Sequence, residues 1–460
     1  MAEPRERRHL AGGAALSVIA QAAPLVSGAV LSIVLARTLG PSGNGRYALL
    51  GTVLGITTLA FSLGLPAGLT YEVSRGNWAL RPALRTAYRL AVLLGVVAAS
   101  AGLAFYWVTR DSVFTGVSVA VAVIAMVSAP AFIQYQSASA IALGDDAYEI
   151  FSGLEIAHAS VILCVGAVLA IPFGLTGAVI GLSASGIVTA VVGRVMLRRR
   201  SAPSSDDVTT SRDGLRRALH FGTQSWGANL LQQVNYRFDL LILGGYAASA
   251  AVGVYSVALT ITGIAWILPQ ALQTVVFPRA AGLEADAAAG IVTSQDADDA
   301  VARVSRHTVM LLPPAAIVVT LLLGVAVPLL YGPKFHDSFA LGMIMLPGVL
   351  ALGLGKVLMS VVIGRGYPRY ALYSGLVTVP ITLGLYFALI PALGAWGAAL
   401  GSSVSYGLTS VTILMAFRHV THIPLRVALM PSRADLGDYG QAAGALRAWL
   451  RARRADAAGA

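Results

Sequence analysis

Residues 150–197 read IFSGLEIAHASVILCVGAVLAIPFGLTGAVIGLSASGIVTAVVGRVML, and this stretch decides the fold class. Only Glu155 and Arg194 carry a full charge in it. A helix needs about 20 mainly apolar residues to cross the hydrocarbon core of a bilayer. The stretch holds two such lengths, 150–171 and 174–197, separated by a short turn at Pro172. The apolar runs are continuous rather than alternating. They therefore read as membrane helices, not as strands of an outer-membrane barrel.

The rest of the chain has the same character. Its 460 residues are 57% hydrophobic and 12% charged, with a mean hydropathy of +0.75. A soluble domain carries roughly 25% charged residues. That difference excludes a soluble enzyme, a nucleic-acid-binding domain and a disordered chain. The one cysteine, Cys164, has no partner in the chain, which excludes a disulfide scaffold. Further apolar segments fall near 10–36, 44–68, 83–107, 113–143, 217–243, 250–278, 304–330, 339–364, 368–391 and 394–418. With the first pair they predict an all-α polytopic membrane protein of twelve transmembrane helices. The first segment lacks a short apolar core followed by a cleavage site, so it reads as a retained helix.

The predicted organisation is a short N-terminus (1–9), a first lobe (10–197), a linker (198–216), a second lobe (217–418) and a basic tail (419–460). Within the tail, 441–454 (QAAGALRAWLRARR) is basic and amphipathic. It reads either as a helix lying on an anionic leaflet or as a disordered basic tail. With the N-terminus placed inside, 26 of the 32 Lys and Arg residues fall on inner segments. Only Arg37, Arg46, Arg110 and Lys334 fall outside, while Arg237 and Lys356 lie within predicted spans. By the positive-inside rule both termini are cytoplasmic and the location is the cell membrane. The outer loops are short and leave no room for a folded outer domain.

The two groups of six spans resemble each other. LGPSGNGRY (39–47) and VGVY (252–255) share Gly-x-Tyr at an offset of 208. GDDAYEIFSG from Gly144 resembles GRGYPRYALYSG from Gly364, and IPFGLTGAV (171–179) resembles IPALGAWGAA (390–399). Three matches in one order imply a duplicated six-helix unit with parallel halves. That is a transporter architecture, with the substrate path between the halves.

Polar groups at membrane depth mark candidate sites, because an ionisable side chain there costs about 2.5–3.5 kcal/mol on insertion scales. In the seventh span, WGANLLQQVNYRFDLLILGG (226–245), Asn229, Gln232, Gln233, Tyr236, Arg237 and Asp239 share one broad arc. Arg237 and Asp239 are two apart and do not pair with each other. Two readings stay open for each: a lock between helices, or a group lining a cavity. Lys356 lies near the middle of the tenth span, where it faces a cavity or pairs with Asp239 or Glu155. Arg37 and Arg46 flank the outer ends of spans one and two, as rim residues or interfacial anchors. Glu155 and His158 share a face of the fifth span, as an ion or proton site or as a packing pair. Gln134 follows Pro130 in a kinked fourth span, as a cavity wall or a satisfied kink. No Gly-Lys-Ser/Thr phosphate loop is present, so ATP does not drive the protein directly. No metal, cofactor or catalytic residue is expected.

LGPSGNGRY, RFDLLILG (237–244) with VGVYSVA (252–258), LYGPKF (330–335), VIGRGYPRY (362–370) and IPALGAWGAA occur in that order along the chain. Together they resemble the polysaccharide transporter or oligosaccharide flippase family. That family belongs to the multidrug/oligosaccharidyl-lipid/polysaccharide exporter superfamily. The resemblance covers about residues 10–420. It implies two six-helix lobes around a central cavity that opens alternately to each side, and export of a polyprenyl-diphosphate-linked sugar. It also implies cationic residues in the cavity; Arg237 and Lys356 suit that role, with Arg37 and Arg46 near the outer rim. Asn229, Gln233, Tyr236 and Gln134 are the candidate sugar contacts, and Asp239 or Glu155 the candidate ion-coupling groups. Pathway glycosyltransferases or a polymerase are candidate partners, and nucleic acid is not. Gly-Asp-Asp stands after span four where the repeat partner has Gly-Arg, a departure from the pattern. The rival readings are a cation-coupled multidrug exporter of the same superfamily, a membrane enzyme acting on lipid-linked sugars, and a scaffold without transport.

Overall fold

The computed structural model describes residues 4–201, 208–288, 291, 293–432, 435 and 437. Among these residues there is no strand. The amphipathic stretch 441–454 and the heart of the linker, 202–207, lie outside the described residues. The first helices are α1 (Pro4–Ser62), α2 (Leu65–Ser74), α3 (Leu80–Thr109), α4 (Val119–Val127), α5 (Ala129–Gly144) and α6 (Tyr148–Arg200). They are followed by α7 (Val208–Tyr246), α8 (Ser249–Gly263), α9 (Ile267–Ala288) and α10 (Ser294–Ala326). The last are α11 (Asp337–Gly364), α12 (Arg369–Leu393), α13 (Ala395–Thr421) and the short α14 (Leu425–Leu429).

Nine helical stretches among the described residues are long and apolar enough to cross a membrane. Two of them, Val26–Ser62 and Tyr148–Arg200, are broken by glycines in the left-handed region, Gly40 (φ 65°) and Gly174 (φ 57°). Each break divides a stretch long enough for two crossings. α7, 39 residues long and more polar, is a further helix outside the nine. The helices thus accommodate the twelve expected crossings. The expected kink in the fourth span is a full break at Ser128, two residues before Pro130, which divides α4 from α5. Around the linker, α6 runs to Arg200 and α7 begins at Val208.

The internal repeat is visible in the backbone. Gly174 (φ 57°) and Gly394 (φ 56°) turn the chain at equivalent places, 220 residues apart. Beside them, Gly177 packs on the carbonyl of Leu169, and Gly397 on that of Leu389. Both halves therefore form the same tight antiparallel hairpin. Asp146 (φ 50°) and Gly366 (φ 87°) repeat a second left-handed turn at the same offset.

The chain forms two compact units. One comprises Met1–Ile264, Thr320–Gly348 and Gly375–Ser405; the other comprises Ala265–Val319, Val349–Ser374 and Tyr406–Ala460. In the first, Leu65, Leu69, Tyr88, Ile141, Leu154 and Leu197 are among the buried core residues. In the second, Val357, Leu358, Val362, Phe417 and Ile423 are. Lipid tails are as apolar as leucine, so close backbone approach across small residues does much of the helix packing. Within the first unit, Gly64 meets Gly222 and Gly68 meets Ala218, which seats α2 against α7. Likewise Gly45 meets Ser249 and Gly253, while Asn44 donates to Ser256 Oγ (3.1 Å). The two Gly-x-Tyr motifs of the repeat are thus packed on each other.

The Gly-Asp-Asp departure has a structural explanation. In the first half Asp145 accepts from Arg200 at 2.6 Å. At the equivalent place in the second half stands Arg365, which pairs with Asp298 and, at 3.6 Å, with Glu284. Each half ties its turn with an ion pair, and the polarity is reversed. In the second unit Arg306 also grips Asp435 (2.7 and 3.0 Å) and the carbonyl of Val427 (3.1 Å), fastening the segment after α14. Hydrogen bonding from Arg306 holds the Asp435 carboxyl well below the usual carboxylate range. A depressed folded value means that this contact is intact above the ordinary aspartate range of about pH 4 and fades only as pH falls further.

A Cβ at position 45 or 253 would collide with backbone, and overpacking of this kind costs about 1–3 kcal/mol. Gly45→Ala and Gly253→Ala should each lower the melting temperature of the purified protein in detergent. Gly51→Ala, which has open space beside it, should leave it unchanged.

Candidate transport site

The polar arc of α7 divides into two faces. Asn229, Gln232 and Arg237 are exposed, and Gln233 and Tyr236 are half-buried, so these five form one stripe. Gln232 donates to Tyr236 Oη at 3.1 Å. Arg237 makes no hydrogen bond or ion pair among the described residues. Asp239 and Asn235 lie on the other face and are buried.

Asp239 is the centre of a network of neutral donors. Its Oδ2 accepts from Tyr255 Oη (2.5 Å) and from Ser402 Oγ (3.1 Å), and its Oδ1 accepts from the Leu240 N–H (2.7 Å). Tyr386 Oη lies 3.0 Å from Ser402 Oγ and donates to the Asn235 carbonyl at 3.4 Å. One turn along, Asn235 Oδ1 accepts from Ser405 (2.6 Å) and Thr382 (3.1 Å). Residues from α7, α8, α12 and α13 of the first unit are joined in this way. The sequence allowed Asp239 an inter-helical salt bridge; the hydrogen bonds it accepts here come from two hydroxyls and a backbone N–H. Sequence reasoning missed Asn235, Thr382, Tyr386, Ser402 and Ser405. The available signal was the i, i+4 pairing of Asn235 with Asp239, and Ser402 with Ser405 at i, i+3.

Glu155 also finds neutral donors, accepting from Tyr135 Oη (2.7 Å) and Ser139 Oγ (3.3 Å). His158 stacks on Tyr135 with ring centroids 4.8 Å apart. Gln134 donates to the Tyr88 carbonyl at 3.3 Å across the neighbouring helix. Arg37 donates to the carbonyls of Leu329 and Leu330, both at 2.6 Å, where α10 ends. A cation there also complements the negative end of the helix dipole. Arg46 donates to the Thr115 carbonyl at 3.1 Å. Both arginines thus tie their own segment to the backbone of another.

Lys356 belongs to the second unit. It is half-buried, with Nζ 4.0 Å from the centre of the Trp266 ring, a cation–π contact. Trp266 is itself fixed by donating to the Val349 carbonyl (3.0 Å) and by an edge contact with Tyr406. Arg237 and Lys356 therefore stand in different units. A cavity of 370 Å³ lies against Leu323, Val327, Pro333 and Phe339 in the first unit, and no sequence-predicted site residue lines it.

The signature of the family described as polysaccharide biosynthesis protein matches residues 34–340. The chain belongs to that family. This polysaccharide biosynthesis protein is similar to the probable flippase AglR of Haloferax volcanii, at 25% identity over 228 residues. That match spans 48% of this chain and 44% of AglR, less than half of the relative's length. Its fold is similar to that of the lipid II flippase MurJ in an inward closed conformation. The TM-score is 0.68, with 11% identity and 90% of each chain covered. It is also similar to an inward-facing multidrug resistance MATE transporter of the MOP superfamily. There the TM-score is 0.65, with 15% identity, covering 87% of this chain and 95% of that one. At such identities the likeness establishes the fold alone, that of a multi-pass helical membrane protein. These relatives are transporters and a probable flippase, not enzymes.

Removing one donor from a buried carboxylate costs about 1–3 kcal/mol. Tyr255→Phe and Ser402→Ala should each lower the melting temperature in detergent. Arg237→Ala, which breaks no hydrogen bond, should not.

Proposed function

We propose that the protein is a flippase that moves a polyprenyl-diphosphate-linked oligosaccharide from the inner to the outer leaflet by alternating access. In this reading the lobes 10–197 and 217–418 flank the path and both termini are cytoplasmic. The observation that carries it is Arg237, an exposed cation on the polar stripe of α7 that forms no ion pair among the described residues. A bare diphosphate cannot enter hydrocarbon, because an isolated buried ion is very costly. Arginine offers forked donors to phosphate oxygens, and lysine a mobile point charge. Arg237 offers that fork in the first unit, and Lys356 that point charge in the second. Asn229, Gln233 and Tyr236 meet sugar hydroxyls and ring faces, with Gln134, Arg37 and Arg46 at the margins of the path. The lipid tail stays in the bilayer.

Asp239 is the preferred coupling group, with Glu155 second. Its carboxylate holds α7, α8 and α13 together, so a proton or cation gained there changes the packing of several helices at once. Family membership supports a role in polysaccharide synthesis, and genes for glycosyltransferases or a polymerase beside this one would fit the reading. A cation-coupled multidrug exporter would need carboxylates open to the substrate. Asp239 and Glu155 are instead engaged by hydroxyls.

The test is transport of a fluorescent lipid-linked oligosaccharide in reconstituted liposomes. Arg237→Ala and Lys356→Ala should abolish translocation while leaving the amount of protein in the membrane unchanged. Normal transport in both variants would remove these residues from the site.

A further inference from the structure

The surface of the second unit turns from apolar to cationic where α12 begins and α13 ends. On α13, Val411 and Met415 are exposed. One turn further along the same face come Arg418 and His419, then His422, all exposed. On α12, exposed Arg369 precedes exposed Tyr373 by four residues, again on one face. The two helices are neighbours here, with Ser374 Oγ and Thr412 Oγ1 2.6 Å apart.

Tyr370 gathers these groups. Its ring centroid is 5.9 Å from that of Tyr373 and 5.9 Å from that of His419. The Arg369 guanidinium lies 5.8 Å from the rings of both Tyr367 and Tyr370. The short α14 follows, exposing Arg426 beside Val427 and Met430. The grip of Arg306 on Asp435 and on the Val427 carbonyl holds α14 in place. None of Arg369, Arg418, Arg426, His419 and His422 forms an ion pair with a carboxylate among the described residues.

Exposed aliphatic groups, then tyrosines, then unpaired guanidinium groups are the order met on passing from acyl chains to headgroups. Basic groups clustered at helix ends at that level are suited to an anionic headgroup. We propose that the start of α12, the end of α13 and α14 form a docking site for an anionic phospholipid of the inner leaflet. The phosphate sits among Arg369, Arg418 and Arg426, the tyrosines flank the glycerol, and the acyl chains run along Val411 and Met415. The proposal is independent of which molecule the protein transports.

The test is native mass spectrometry of the full-length protein with added phosphatidylglycerol or phosphatidylcholine. The unaltered protein should retain phosphatidylglycerol in preference to phosphatidylcholine. Combined Arg369→Gln, Arg418→Gln and Arg426→Gln should weaken that binding roughly 100-fold, at about a factor of five per arginine. The triple lysine replacement should keep it within a few-fold, and Arg212→Gln with Arg216→Gln on α7 should leave it unchanged. Should the glutamine protein fail to fold, Tyr373→Ala alone should still lower retention severalfold. Equal retention of both lipids, or no loss in the glutamine and Tyr373→Ala variants, would overturn the proposal. Displacement of phosphatidylglycerol by an equal concentration of a short-chain polyprenyl diphosphate would also overturn it, in favour of an entry point for substrate.

Discussion

The carboxylate of Asp239 is buried at the depth of the membrane, and the first unit is organised around making that tolerable. An unpaired charge in hydrocarbon would be expelled or would drag water in with it. Here Tyr255, Ser402 and a backbone N–H converge on it. The same polar patch continues through Asn235 to Thr382 and Ser405. Such a network fixes register, because sliding any one of its helices by a residue would strand several donors together. It also places α7 so that Arg237, on its other face, makes no hydrogen bond or ion pair among the described residues. The polar residues of that one helix therefore serve two ends, cohesion on one side and an available charge on the other.

Much of this was legible in the chain before any coordinates. The length and continuity of the apolar runs specify membrane helices. The repeated IPFG and IPALG turns mark where each half doubles back, since glycine is the residue that takes the left-handed conformation without penalty. What the sequence could not show was the identity of partners across helices. Asn235 looks like one more polar residue until Thr382 and Ser405, more than a hundred positions away, are brought beside it. Lys356 reads as a candidate for a carboxylate, and the contact the helical pattern could not foretell is the indole of Trp266 under its ammonium. A helical wheel places a side chain on a face; it does not say which neighbour fills the space opposite.

The arginines divide by what they hold. Arg37 and Arg46 donate to backbone carbonyls of other segments, so they help hold the architecture together. Arg200, Arg217, Arg306 and Arg365 pair with carboxylates. Among the described residues Arg237 and the arginines around Tyr370 do neither, and binding of an external anion is proposed at these positions. Composition counts all of these residues alike. Only the geometry separates structural cations from available ones.

The reversed ion pairs have an evolutionary reading. Asp145 and Arg365 stand at corresponding places of the duplicated halves, but their partners do not correspond: Arg200 lies on α6 and Asp298 on α10. The position 220 residues after Arg200 is Val420, and the position 220 before Asp298 is Trp78, so neither partner has a charged counterpart in the other half. The two corners acquired their charges separately, and the first half's aspartate set into the second would meet Asp298 and Glu284 with like charge.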